Sequence, residues 1–347
     1  MSVSLAARLE DLWYGRRAGG WLLAPLAFLF ALGAALRRRA YRHGWRRTYR
    51  VRVPVVVVGN LTVGGTGKSP LVAALATTLR RRGFRPGILT RGYGVSLKTP
   101  RNVTVDSDPA QVGDEARMLA RDTGLPVVAS VDRVAGAEAL VARGVDVIVC
   151  DDGLQHYALH RDVEIVVIDA VRGLGNGRLL PAGPLREGSA RLASVDAVVL
   201  NGAQSAQAAE ASPWRGRDGV WLMQLVPEAA RNLCEPRRWC ALEQFRGQRV
   251  HAVAGIGHPA RFFAVLRAAG LEVIEHPFPD HHAFVATDLD FGDSLPVLMT
   301  AKDAVKCRSF AQASWFELPV IAQLQPDGGE SLVDRIVARL NNATGRP

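Results

Sequence analysis

The run Gly59-Asn60-Leu61-Thr62-Val63-Gly64-Gly65-Thr66-Gly67-Lys68-Ser69-Pro70 gathers glycines ahead of a Lys-Ser pair. Glycines let backbone N–H groups curl around phosphate oxygens, and a following helix adds the positive end of its dipole. Lys68 would reach the β- and γ-phosphates, and the Ser69 hydroxyl would join a Mg2+ shell. The residues expected to hold ATP are therefore Gly64, Gly65, Thr66, Gly67, Lys68 and Ser69. The common pattern GxxxxGK[ST] asks for Gly at position 62, where this chain has Thr62. A bland glycine turn would have no use for Lys-Ser at this point.

A second cluster is acidic. Val145–Cys150 is an apolar strand that ends in Asp151 and Asp152. In P-loop enzymes an acid at such a strand end holds Mg2+ directly or through water, so Ser69, Asp151 and Asp152 form the expected metal set. An Asp at a strand end is otherwise an ordinary turn residue. Further along, Asp114 reads by itself as a helix-capping or first-turn acid ahead of Ala116–Ala120. His281 and His282 read as solvated loop histidines.

The elements that must position these groups alternate. Val53–Val58 is a continuous β-branched run, as a buried parallel strand requires. It leads through the glycine loop into a helix over 71–79. Strands follow at 87–90, 126–129 and 163–169, with helices at 114–122 and 132–143. The alternation predicts an α/β fold: a P-loop NTPase-like, doubly wound, mostly parallel sheet. A smaller C-terminal α/β domain and an N-terminal membrane-associated helix complete it. The expected divisions are 1–50, an apolar helix with a basic flank; 51–200, the nucleotide-binding core; and 201–347, the smaller domain. The last helix, 331–340, is expected to be able to pack back on the core.

The net charge of +10 on 347 residues is unevenly placed. Residues 1–53 carry eleven Arg against Glu10 and Asp11, a local +9, and the rest of the chain is at +1. A near-neutral body argues against nucleic acid as a partner. The basic segment surrounds 19 uncharged residues, Ala18–Leu36, about 28 Å of helix and one hydrocarbon core thick. Arg37, Arg38 and Arg39 follow it, and Trp13, Tyr14, Trp21, Tyr41 and Trp45 flank it. A membrane-embedded or membrane-surface helix is favoured over a signal peptide or a core helix, with the C-terminal side cytoplasmic. Whether it spans is open. Four cysteines with no CxxC spacing point to reduced thiols. Only four Lys (68, 98, 302 and 306) stand beside 39 Arg, which makes each Lys conspicuous.

These motifs together resemble the tetraacyldisaccharide 4'-kinases, the lipid A 4'-kinases of Gram-negative bacteria. That family also has Thr at the position of Thr62. Further matches are TRGYG at 90–94, GDEA at 113–116, DRV at 132–134 and DDGLQH at 151–156. GNGRLLPAGPLRE at 175–187, GIGHPARFF at 255–263, FPDHHAF at 278–284 and MTAKDAVKC at 299–307 continue the series. The resemblance implies transfer of the ATP γ-phosphate to the 4'-hydroxyl of tetraacyldisaccharide 1-phosphate, a lipid A disaccharide precursor. The site would face the cytoplasm at the inner membrane, on the membrane lipid surface, and no protein partner is implied. It implies Asp114 and His281 as a catalytic pair, with Lys68 and Arg186 at the transferred phosphoryl. Tyr93, Glu115, Arg133, Gln155 and His156 fall on motif positions around substrate or behind the site. Ala116 replaces the family's usual proline beside Asp114 and removes no chemical group.

Two other classes share the phosphate loop. A GTPase or ATPase metallochaperone would need a Cys/His metal cluster, and Asn201-Gly202 is not an NKxD-like strand end. A membrane-associated partition ATPase would not need the GDE, DDGLQH and DHH elements together.

Overall fold

The computed structural model describes residues 5–15, 20–202, 219–280, 282–325 and 331–344. The valine run forms β1 (Val55–Gly59), buried along its whole length. Its alternating side chains serve two cores: Val56 and Val58 pack with Leu71, Leu75 and Leu79 on one face. Val55 and Val57 pack with Ala137 and Leu140 on the other. A strand buried on both faces has no polar side to show, which is why its sequence is continuous valine.

Around β1 lie β2 (Pro86–Thr90), β3 (Arg101–Val103), β4 (Val127–Ala129), β5 (Val147–Asp151), β6 (Val163–Asp169), β7 (Ala197–Asn201), β8 (Val220–Pro227) and β15 (Val320–Gln325). The spatial order is β15-β8-β7-β6-β1-β5-β2-β4-β3. The seven inner strands run parallel, and the two edges, β3 and β15, are antiparallel to their neighbours. Helices α3 (Lys68–Arg81), α5 (Asp114–Thr123) and α6 (Arg133–Ala142) cover it, with a short α4 (Pro109–Val112) before α5.

A second sheet has the order β10-β9-β14-β13-β11-β12. Its strands are β9 (Ala230–Asn232), β10 (Trp239–Cys240), β11 (Arg249–Ala254), β12 (Glu272–Pro277), β13 (Val297–Thr300) and β14 (Trp315–Leu318). Helices α7 (Pro259–Ala268) and α8 (Ala301–Cys307) belong to this lobe. The chain passes between the sheets twice, from β8 to β9 and from β14 to β15. The crossings are tied together where the Glu228 N–H donates to the Pro319 carbonyl at 2.9 Å.

Sheet membership cuts the chain differently from a boundary at 200/201. Strands β8 and β15 belong to the larger sheet. Helix α9 (Leu332–Thr344) buries Leu332, Ile336 and Leu340 in the larger sheet's core.

The N-terminal apolar helix is α2 (Ala24–Arg42), entered by a 3-10 turn at Gly20–Leu23. It starts later than the uncharged run and ends later, taking Arg37–Arg39 into its last turns. There the cations complement the negative end of the helix dipole. Pro25 sits in the first turn, where a missing N–H costs nothing. Trp21, Leu22, Phe28 and Leu29 are each more than 60% exposed, and of the helix itself only Ala27 is buried. Gly20–Arg42 is the one helical segment among the described residues long and apolar enough to cross a membrane. A further helix, α1 (Leu5–Tyr14), was not legible in the sequence. Trp13 Nε1 donates to the Pro181 carbonyl at 3.0 Å, which fastens it to the 175–183 loop.

Candidate active site

Asparagine 60 and Thr62 explain how the glycine loop is held. Leu61–Val63 bridges the 184–186 segment: Val63 N donates to Pro184 O and Arg186 N donates to Leu61 O. Thr62 pairs with Leu185 in this bridge and is buried. The chain here needs no glycine; the phosphate-wrapping turn starts two residues later. Gly64 and Gly67 then take φ of +104° and +88°, values that L side chains avoid. A Cβ on Gly67 would stand 2.4 Å from Asn201 Nδ2, which itself donates to the Thr66 carbonyl at 2.9 Å. Lys68 opens α3, so the free N–H groups of that helix face the loop.

The same bridge delivers Arg186. Its guanidinium grips Asp152 with both arms, at 2.9 Å to Oδ1 and 3.2 Å to Oδ2. It also donates to the Asn60 carbonyl and to Asn60 Oδ1. Lys68 Nζ lies 3.6 Å from Asp152 Oδ1. Burial acts to raise the Asp152 carboxyl, but Lys68 and the Arg186 fork outweigh it and hold it well below the usual carboxylate range. Asp152 also adopts φ +50°, the one non-glycine among the described residues with positive φ. Asp tolerates this conformation better than most residues, and strain of this kind collects at functional sites.

Asp151 has the opposite environment. It is buried, and Ser69 Oγ donates to its Oδ2 at 2.8 Å. Its Oδ1 has no hydrogen-bond partner. Burial, with the charge of Glu115 adding to it, pushes this carboxyl up to about 6 against the opposing pull of Lys68 and Ser69. Neighbouring carboxylates thus differ: Asp152 is neutralised by two cations, while Asp151 retains an unused oxygen.

Arg133, Gln155 and His156 lie behind these acids. Arg133 is buried and donates to the Asp151 carbonyl at 2.9 Å, so it supports the turn. Gln155 Nε2 donates to the Asn60 carbonyl. Burial, reinforced by Arg133 and Arg91, pushes His156 down to about 3, so it is neutral at physiological pH.

A cleft of about 430 Å³ opens in front of this assembly. Its walls include the glycine loop, Tyr93, Glu115, Asp151, Asp152 and Arg186 from the larger sheet. Ile256, His258, Arg261, Phe262, Asp280 and Lys302 come from the second lobe. Asp114 and Glu115 open α5 at the lobe boundary. Glu115 pairs with Lys302 at 3.4 Å, and Lys302 also reaches Asp280 at 2.9 Å. Burial acts to lower the Lys302 ammonium, but Glu115 and Asp280 outweigh it and raise it. Asp114 pairs with Lys306 at 3.5 Å. His281 lies outside the described residues.

Sequence reasoning missed several members. Asn60 links the glycine loop to Arg186. Arg261 crosses from the second lobe to Asp169 at 3.4 Å and to Asn201 at 3.3 Å. His258 lines the cleft with a buried Nδ1 that has no partner. For Arg261 and His258 the signal was the GIGHPARFF motif, whose polar positions had no assigned role. For Lys306 the signal was the scarcity of lysine.

The family model for tetraacyldisaccharide-1-P 4'-kinase, LpxK, matches residues 19–338. The tetraacyldisaccharide 4'-kinase of Alkalilimnicola ehrlichii is 53% identical over 354 residues, covering 98% of this chain and 100% of its own. That of Xylella fastidiosa strain M12 is 49% identical over 338 residues, covering 97% of this chain and 98% of its own. Among solved structures, LpxK from Aquifex aeolicus in complex with ATP is similar, with a TM-score of 0.77 and 29% identity. The match covers 92% of this chain and 99% of that one.

Proposed function

The chain belongs to the tetraacyldisaccharide-1-P 4'-kinase family and is an ATP-dependent lipid A 4'-kinase; we propose that the cleft between its two sheets is where it transfers the phosphoryl group. The observation that carries this placement is the contrast between Asp151 and Asp152. Two cations already converge on Asp152 at the mouth of a phosphate-binding loop, and a buried carboxylate oxygen beside it is unused.

ATP is held with its phosphates on the N–H groups of Gly64–Ser69. Lys68 and Arg186 then exchange part of their hold on Asp152 for phosphate oxygens. A guanidinium and an ammonium aimed at the transferring group stabilise the charge on its equatorial oxygens. The donors also fit Mg2+, which takes hard oxygen ligands and uses one or two carboxylates beside phosphate and water. Ser69 Oγ and Asp151 would hold it, with Asp152 contributing charge more than a free ligand atom. Mg2+ held there would supply positive charge against the developing negative charge of the phosphates.

Asp114 is the proposed base for the 4'-hydroxyl, with His281 as its partner. A loose transition state demands little deprotonation early, so an ionised carboxylate at hydrogen-bond reach suffices. Tyr93, exposed at the cleft wall, and Glu115 are placed to meet the sugar. Arg133, Gln155 and His156 act behind the turn. The acceptor is a lipid, and the exposed apolar side of α2 with its terminal arginines supplies a surface that fits an anionic bilayer. This surface supports a location at the inner membrane, and we assign the catalytic cleft to the cytoplasmic side on the arginines that follow α2.

The test adds purified protein to γ-labelled ATP, Mg2+ and tetraacyldisaccharide 1-phosphate in detergent. Label should pass to the lipid. Folded protein that yields none sinks the assignment. Asp114→Ala should lose turnover while binding ATP normally; loss of ATP binding instead would mean Asp114 is not the base.

A further inference from the structure

Lysine 302 and Lys306 stand one turn apart on α8 of the second lobe and meet two adjacent acids, Glu115 and Asp114, at the start of α5 of the first. The two contacts are not equivalent. Lys302 lines the cleft together with Glu115, whereas Lys306 and its partner Asp114 both lie just outside that lining.

Asp303 and the Phe284 ring determine where the Lys306 ammonium sits, and Asp114 meets it there. Its Nζ is 3.3 Å from Asp303 Oδ1 and 3.5 Å from Asp114 Oδ2. It also stands 5.6 Å above the centre of the Phe284 ring, in cation–π range. Asp303 is fully buried and cannot shift. Its Oδ2 accepts from the Gly255 N–H at 2.8 Å and from Thr300 Oγ1 at 2.6 Å. The Lys306 side chain is itself only 10% exposed. A cation clamped in this way marks a position in space, and Asp114 is drawn to it.

We propose that Lys306 is the positioning residue of the phosphoryl-transfer site: anchored on Asp303, it fixes the Asp114 carboxylate and keeps it ionised across the lobe boundary. This rests on the reading of Asp114 as the base. One Asp114 oxygen is committed to the ammonium, which limits how the carboxylate can rotate toward the acceptor hydroxyl. Lys306 touches neither the glycine loop nor the cleft, so its removal acts on turnover and not on ATP binding. The choice of lysine fits the task. A compact point charge fits between two carboxylates and a ring face, where a planar fork would seek bidentate geometry.

The experiment compares K306M, K306R, the double variant D303N/K306M and D114A, each checked for folding by thermal melting and for ATP affinity. K306M leaves Asp303 buried without its cation and risks misfolding, so the decisive variant is D303N/K306M, which removes both charges. The expected result is a kcat at least about tenfold lower with the KM for ATP and lipid within about twofold. The acidic limb of the kcat–pH profile should move up by about one pH unit, because a carboxylate that loses a nearby cation holds its proton more tightly. K306R should recover part of kcat and return the limb toward its original position. A folded double variant with wild-type kcat and an unmoved limb overturns the proposal, leaving Lys306 as mere neutralisation of Asp303. If D114A turns over normally, the failure lies in the base assignment. If D114A is dead while the double variant is normal, it lies in Lys306 alone.

Discussion

Replacing Ser69 by Ala tests the metal side of the site through one hydrogen bond. Ser69 Oγ donates to Asp151 Oδ2 at 2.8 Å, and the other Asp151 oxygen has no partner. The variant therefore leaves a carboxylate that is 2% exposed with no side-chain donor among those described. A hydrogen bond to a charged acceptor contributes about 1.5–3 kcal/mol. At 1.36 kcal/mol per pH unit, its loss moves the ionisation of Asp151 upward by roughly 1–2 units. The starting point is about 6 in the parent. The direction is unambiguous: the raised value favours the protonated form, and only the ionised form binds a cation. Parent affinity for Mg2+ should thus fall as pH drops through about 6. In Ser69→Ala the fall should begin roughly 1–2 units higher. The assay is initial rate against Mg2+ concentration at pH 6, 7 and 8.5. Near neutrality the half-saturating Mg2+ should rise about tenfold or more, and part of that deficit should disappear at pH 8.5. Ser69→Thr keeps the hydroxyl and should behave like the parent. If the Mg2+ dependence of Ser69→Ala coincides with the parent's at every pH, Asp151 and Ser69 do not form the metal site.

Arg186→Lys keeps the charge but cannot span both Asp152 oxygens and Asn60. With both groups about a quarter to a third exposed, the discounted loss is roughly 1–2 kcal/mol, or about 5–30-fold in kcat/KM, measurable by steady-state kinetics. Gly67→Ala places an L residue at φ +88° with its Cβ against Asn201. The conformation alone costs about 1–2 kcal/mol, so the melting temperature should fall and ATP should fail to restore it. Replacing exposed Trp21, Phe28 and Leu29 by Ser should abolish co-sedimentation with anionic liposomes while detergent-phase turnover is retained. Unchanged liposome binding would mean that α2 is not the anchor.

The local parts of this site were legible because their causes are local. A β-branched run, a glycine loop and a Lys-Ser pair sit within 17 residues, from Val53 to Ser69, and each constrains its own backbone. The apparent defect at Thr62 was resolved by something no local pattern contains, its pairing with Leu185. That pairing also brings Arg186 beside Asp152. Strands β8 and β15 escaped assignment for the same reason. The chain leaves the larger sheet after Pro227 and re-enters it at Val320, and only their antiparallel register reveals the common sheet. A cut drawn along the sequence cannot represent an inserted lobe whose entry and exit strands are neighbours.

The distribution of cations makes the same point about the chemistry. In a chain with 39 Arg, lysine stands at Lys68, Lys302 and Lys306, all within or directly behind one cleft. At the cleft, Arg186 spans two oxygens of one carboxylate, that of Asp152. The two α8 lysines each serve two separate acids: Lys302 between Glu115 and Asp280, and Lys306 between Asp114 and Asp303. Composition alone makes each lysine conspicuous; the fold shows that three of the four meet acids at or beside this cleft. Because the two α8 lysines come from one lobe and their α5 acids from the other, the proposed base, Asp114, meets its lysine only when the lobes are together. Phosphate loop and proposed base are thereby assembled by the same contact that forms the cleft.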